Sequence, residues 1–337
     1  QAAGLAIRVL CFGAQRSYEF EGIQVLSESD WRAKPQPADV LISHAPNLRN
    51  HLRFLLGPGQ RFRRWIFFFH GHEVLLKQAF YPKPYAYTQR QNPVVDLADR
   101  GYDRLKLWLW RQLIRRWLVQ MRLKLVFVSE WMRQAFNHCV GLDPALSEIH
   151  GLIIPNAVHP EFLAGSWQAQ PPFAADFVTI RPLDNPKYAI DQVSQLALAH
   201  PNLRFDVFGR GSYFRHYPPP ANLNWIDQFL TPQEMVSVLG RYRAALMPTR
   251  LDAQGVMMCE LASFDMPLLT SDLPICREML AGFPRVAYLP SQLEQADLNA
   301  LLAEIEAAPS APERSRFAPA HTIAQELALI QSWHLTA

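Results

Sequence analysis

The sequence predicts an α/β protein of two doubly wound domains that face each other across a central cleft. Three observations carry this reading. Short apolar runs recur along the chain, each followed by loop and helix-like sequence, which is how buried parallel strands with crossovers read. The alternation stops once, in a stretch rich in Pro, Ala and Gly at 155–172, and then restarts. At 337 residues the chain also exceeds the roughly 250 to 300 residues at which a single hydrophobic core stops growing.

The elements follow in order. The run at 5–12 (LAIRVLCF) ends at Gly13, and the runs at 39–43, 64–69 and 123–128 repeat the pattern, with helical crossovers at 102–122 and 130–140. Together they predict an open sheet with helices on both faces over 1–157. The linker is placed at 158–172. Beyond it, strands at 177–180, 204–208, 223–225, 244–247 and 267–269 alternate with helices at 188–199, 232–239 and 255–263, which makes a second doubly wound domain over 173–320. The remaining segment, 321–337, is helical by period from 322 to 333 and is expected to pack back on the N-terminal domain. Two such domains bring the carboxyl ends of both sheets to one cleft, where open α/β sheets bind ligands.

Composition narrows the class. A hydrophobic fraction of 49% with 12% aromatics fills two cores and leaves no disordered tract. Cys11, Cys139, Cys259 and Cys276 form no C-x-x-C pair and no zinc set, which reads as reduced thiols in a cytoplasm-like compartment. No run approaches the roughly 20 apolar residues of a membrane span, and no signal-peptide pattern precedes the strand-like run at Leu5. The net charge of +3 conceals a basic region at 49–124 and an acidic one at 294–306, so two faces with different partners are expected.

The most informative segment is 244–278, AALMPTRLDAQGVMMCELASFDMPLLTSDLPICRE. A strand ends near Met247, a loop carries Asp252, and a helix opens at Gly255 with Glu260 on its second turn. Gly255 permits close backbone approach, and the free amides of Val256 and Met257 at the helix start make an anion site suited to a diphosphate. Glu260 lies about one turn deeper, where a carboxylate can accept both hydroxyls of a ribose.

Asp252, seven residues and then Glu260, followed by 267–272 and Glu278, resembles the Glu-seven-Glu signature of glycosyltransferase family 4, with Asp252 in place of the first Glu. Ile180-Arg181-Pro182-Leu183 with Lys187 resembles the strand-end Arg and following Lys that cradle the donor diphosphate. Asp206-Val207-Phe208-Gly209-Arg210-Gly211 resembles the Gly-x-Gly turn beneath the nucleotide base. Val128-Ser129-Glu130 and Ile154-Pro155-Asn156-Ala157-Val158 resemble the family's strand-end Ser and linker motif, with Ala157 and His159 where Gly and Asp are usual.

The resemblance implies a GT-B fold and a retaining, metal-independent hexosyltransferase that uses a UDP- or GDP-linked sugar as donor, with no cofactor. It implies a front-face reaction in which the leaving phosphate accepts the acceptor proton. Arg181 and Lys187 would stabilise the departing diphosphate, Glu260 would hold the ribose, and Asp252 would orient the sugar. His70, just past a strand in Phe69-His70-Gly71-His72-Glu73, takes the family's sugar-contacting histidine role. The H-x-H spacing also suits a metal, but His138, His150, His159 and His200 supply no matching set. Gly13 stands where the family has a Gly-rich turn and would approach the diphosphate, with Arg16 near a phosphate or an acidic acceptor.

The segment 104–124 (RLKLWLWRQLIRRWLVQMRLK) has no acid. Leu105, Leu109, Leu113, Trp117 and Met121 recur at helical spacing and are expected to face the sheet, with Arg104, Arg111, Arg115 and Arg122 together on another face. Arg111, Arg115, Arg116 and Trp117 mark a surface for an anionic membrane carrying a sugar or lipid-linked saccharide acceptor. The implied setting is envelope or polysaccharide synthesis on the inner face of the cytoplasmic membrane. Nucleic acid is not expected, because no base-stacking or groove-reading motif accompanies the charge. A nucleotide-sugar epimerase of the same fold, and a non-catalytic GT-B subunit that binds a membrane or partner, remain as alternatives.

Overall fold

The computed structural model describes residues 4–88 and 93–335. Strands β1 (Arg8–Cys11), β2 (Tyr18–Phe20) and β3 (Ile23–Ser27) form a small sheet in the order β1-β3-β2, with β3 parallel to β1 and antiparallel to β2. Strands β4 (Val40–His44), β5 (Arg64–Phe69), β6 (Leu123–Phe127) and β7 (Gly151–Ile153) form a separate parallel sheet in that order. The single N-terminal sheet expected from the sequence is thus two. The cause is a hairpin between β2 and β3. Glu21 and Gly22 both take positive φ, 49° and 75°, the two-residue turn whose twist suits paired strands. All three β2 residues are exposed, so no buried run announces the strand.

The run Trp65-Ile66-Phe67-Phe68-Phe69 on β5 is buried on both faces, as a central parallel strand requires. Trp65, Phe67 and Phe69 join Trp110, Trp117, Phe127 and Phe136 on one side. Ile66 and Phe68 join Val126, Ile154 and Leu329 on the other. Leu329 belongs to the helix Pro319–Leu335, which also places Trp333 under the Lys124 ammonium at 5.1 Å and donates from Thr322 Oγ1 to Pro155 O at 3.2 Å. The chain's final helix therefore lies on the N-terminal sheet.

The helix Pro93–Val119 buries Leu107, Trp110, Ile114, Trp117 and Leu118, a stripe at i, i+3, i+7, i+10 and i+11. This corrects the expected face. Residues four apart rotate about 40° per step on a 3.6-residue helix, so a stripe of fours slides around it, and Leu105 and Met121 end up 55% and 63% exposed. Trp117, expected on a membrane surface, is a core residue set edge-on to Trp65 at 4.9 Å. Arg122 leaves the arginine face as well, donating to Gln60 Oε1 and Phe62 O and covering the Trp65 ring at 4.3 Å. No helix among the described residues is long and apolar enough to cross a membrane.

The C-terminal half is one six-stranded parallel sheet: β8 (Ala175–Ile180), β9 (Phe205–Phe208), β10 (Leu223–Ile226), β11 (Tyr242–Met247), β12 (Leu268–Ser271) and β13 (Val286–Leu289). Its order is β10-β9-β8-β11-β12-β13. Counted from its own first strand this is 3-2-1-4-5-6, the doubly wound order whose switch point lies between β8 and β11. Apolar clusters cover both faces.

Candidate active site

The switch point is where β8 ends in Arg181 and β11 runs into the loop of Asp252. Arg181 is 7% exposed and donates from Nη2 to Met247 O at 2.9 Å. Its Nε has no partner among the described residues. Burial pushes its pKa down to about 10 against the opposing pull of Asp252, so it stays cationic at neutral pH. A buried cation with an unspent N–H is built for an anion, because leaving such a donor unsatisfied is costly.

Lys187 lies on the short turn Pro186–Tyr188, which follows an N-cap by Asn185. The ring of Tyr188 lies 5.3 Å from the Arg181 guanidinium and 4.6 Å from the Lys187 ammonium, so one aromatic ring serves both cations. Lys187 O accepts Arg250 N at 2.8 Å and Thr249 Oγ1 at 3.0 Å, which ties this turn to the loop after β11. Tyr188 and Thr249 were invisible as site residues in the sequence, because neither carries a motif.

Across the switch point, Gly255 in left-handed conformation (φ 73°, ψ 55°) caps the helix Val256–Ser263. The amides of Val256 and Met257 have no acceptor within the helix. Asp252 Oδ1 accepts Ala253 N at 2.9 Å and Gln254 N at 3.3 Å, so one oxygen shapes the loop. Gly209 and Gly211 brace the opposite side. A Cβ on Gly209 would lie 1.8 Å from Arg181 O, and one on Gly211 2.8 Å from Leu183 Cβ. Glu260 Oε1 accepts His159 N at 3.1 Å, and burial raises its pKa in spite of that bond.

Several motif residues and their neighbours bond or pack across the junction between the two halves. Ser129 Oγ donates to Ala253 O at 2.6 Å while it caps the helix Glu130–Val140. Glu278 accepts Glu130 N at 2.6 Å and Trp131 N at 2.9 Å from across the junction. Gln254 exchanges three hydrogen bonds with Asn156. Leu251 and Ala253 sit in the N-terminal core cluster. These contacts close the two halves on each other and fix the Asp252 loop from the N-terminal side.

His70 follows the end of β5, and the residue after it packs close to that loop: a Cβ on Gly71 would lie 3.5 Å from Ala253 Cβ. The His70 ring shares a hydrogen, Nε2 to His44 Nδ1 at 3.3 Å, and burial, then His44 and His72, push its pKa down to about 4. It is neutral at pH 7. Glu73, nearly fully buried, accepts the His70 amide and sets the turn. Tyr81 completes this wall; burial, Glu73 and Asp252 push it up to about 12. No group of three or more His, Cys, Asp or Glu among the described residues is arranged to hold a metal. A Cβ added to Gly13 would meet no heavy atom within 4 Å, so the space beside it is open. Arg111, Arg115 and Arg116 are exposed on the long helix.

The sequence matches no protein-family model, and no curated protein matches it significantly. Solved structures match over nearly the whole chain. Sucrose-phosphate synthase from Thermosynechococcus elongatus is similar with a TM-score of 0.69 at 11% identity, covering 100% of this chain and 91% of that one. WaaG, a glycosyltransferase involved in lipopolysaccharide biosynthesis, gives 0.57 at 12% identity, over 98% and 92%. The pneumococcal O-GlcNAc transferase GtfA, in complex with UDP and GlcNAc, gives 0.52 at 12% identity, over 96% and 64%. The two facing parallel-sheet halves are thus the fold of the GT-B glycosyltransferases.

Proposed function

We propose that the chain is a metal-independent hexosyltransferase that moves a sugar from a UDP- or GDP-linked donor to an acceptor hydroxyl with retention of configuration. The observation that carries this is the buried Arg181 with its unspent N–H, sharing Tyr188 with Lys187 opposite the helix start at Gly255. Positive groups held in a dry site stabilise charge that grows on a departing diphosphate, and they need no reorganisation as it forms. Glu260 holds the ribose, while Asp252 and the neutral His70 orient the sugar from opposite halves. The GtfA structure, which holds UDP and GlcNAc on the same fold, supports a nucleotide-sugar donor. The test is a thermal-shift series with UDP, GDP and ADP. One of them is expected to raise Tm by several degrees, and Glu260→Ala and Lys187→Ala to remove most of that rise. A chain stabilised by none of the three would not carry this site.

The acceptor is a sugar or a lipid-linked saccharide on the inner face of the cytoplasmic membrane, in envelope or polysaccharide synthesis. Support comes from the helix Pro93–Val119, where Arg104, Arg111, Arg115 and Arg116 are exposed alongside Leu105, Trp108 and Val119. Trp108, 56% exposed, takes the interfacial place first given to Trp117. Arg115→Glu with Arg116→Glu is expected to weaken binding to phosphatidylglycerol vesicles at least about 10-fold. Binding to phosphatidylcholine vesicles should hardly change. Equal loss on both lipids would remove the electrostatic part of the claim.

A further inference from the structure

After the turn set by Glu73, the chain leaves the N-terminal sheet and crosses onto the C-terminal half. Tyr85 and Tyr87 pack against the apolar cluster on one face of the six-stranded sheet. Tyr87 stacks on His216 with centroids 4.2 Å apart and planes 11° from parallel, and Tyr85 leans on Tyr213 at 4.9 Å. Their hydroxyls go to two carboxylates. Tyr85 donates to Asp191 Oδ1 at 2.8 Å, and Tyr87 donates to Asp184 Oδ1 at 2.7 Å.

Both carboxylates are structural posts of the loop that carries Arg181 and Lys187. Asp184 Oδ1 also accepts Ser212 N at 2.7 Å, which joins that loop to the turn of Gly209 and Gly211. Asp191 pairs with Arg250 at 2.6 Å, and Arg250 Nη1 donates to Pro186 O at 3.0 Å. The Arg250 amide reaches Lys187 O. The Arg181–Lys187 segment is therefore held at two points by side chains from the other half of the molecule.

We infer that this strap sets the geometry of the diphosphate-binding loop, with Tyr85 and Tyr87 as positioning residues that act on it through Asp191 and Asp184. The inference rests on the donor site proposed above. Its consequence is that nucleotide affinity depends on an N-terminal segment that touches no nucleotide. Burial and the neighbouring carboxylates push both phenols well above their ordinary range, so they remain donors throughout the pH range in which an enzyme of this kind works. Each phenol gives a hydrogen bond to a charged acceptor, the stronger kind.

The experiment uses Tyr85→Phe with Tyr87→Phe, which keeps both rings and removes both hydroxyls. UDP and GDP binding is measured by calorimetry beside thermal unfolding and steady-state kinetics. The double variant is expected to bind the nucleotide about 10-fold more weakly and to show a matching rise in donor KM, with kcat within about threefold. Asp184→Asn, which keeps a neutral acceptor for Tyr87 and Ser212, should weaken binding less than the double variant does. Tyr87→Phe alone, expected at about threefold, serves if the double variant does not fold. A fall in Tm with nucleotide affinity unchanged would overturn the strap and leave the donor site standing. A wild-type chain that binds neither nucleotide overturns the donor site and the strap with it.

Discussion

Arg181→Met is expected to lower kcat/KM for sugar transfer by about 10³-fold and nucleotide affinity by at least about 10-fold. Methionine fills much of the volume and cannot ionise, so it isolates the charge. The guanidinium is buried, spends one N–H on Met247 O and keeps Nε without a partner among the described residues. A single preorganised donor removed from a charge-stabilising site typically costs 10² to 10³ in rate, and here the donor also brings a whole charge. The change has a structural side too, since Met247 O loses one of its two side-chain donors and keeps the Thr270 hydroxyl at 2.8 Å, at a cost of about 1 kcal/mol. Arg181→Lys separates the two effects. It keeps the charge but loses the planar fork, and should retain more activity than Arg181→Met by about 10-fold. An Arg181→Met protein with lowered Tm but kcat/KM within threefold of wild type would show that the buried cation is architectural.

The C-terminal sheet was legible because its strands are short, mostly buried apolar runs, with β8 to β12 each marked by two or more of Val, Ile, Leu, Phe, Trp or Met. Strand β13, Val286–Leu289, was not, because Arg285 and the preceding Gly282-Phe283-Pro284 read as loop. In the N-terminal half, β2 and β3 escaped notice for a related reason. Their turn uses Glu21 at positive φ, where Asn or Asp would have announced it. The motif residues stand out in the sequence as a set, but their bonds across the junction do not. Ser129, Asn156 and Glu278 bond across the junction, and a contact between residues 98 to 148 positions apart leaves no trace in local spacing. Tyr85 and Tyr87 are the clearest case. In Lys83-Pro84-Tyr85-Ala86-Tyr87 nothing marks a strap, and only the fold brings them to Asp191 and Asp184.

Gly255→Ala is expected to destabilise the protein by about 2 to 4 kcal/mol and to weaken nucleotide binding by more than 10-fold, although it adds one methyl group. Two costs combine. The left-handed backbone at φ 73° disfavours any L side chain by about 1 to 2 kcal/mol. The new Cβ would also lie 2.1 Å from Met258 Cε. Methionine ends are usually forgiving, but Met258 is 1% exposed and its sulfur lies against the Thr270 hydroxyl at 2.9 Å, so it has little room to retreat. Relief must then come from the loop, which would turn the amides of Val256 and Met257 away from the ligand and carry Asp252 with them. Met258→Ala in the same chain tests this account. It gives the methyl space and leaves the backbone cost, so the two changes together should be less damaging than the sum of each alone by at least about 1 kcal/mol. Strict additivity would mean that the backbone term alone explains the loss. Wild-type nucleotide binding by Gly255→Ala would mean that the helix start is not where the diphosphate sits.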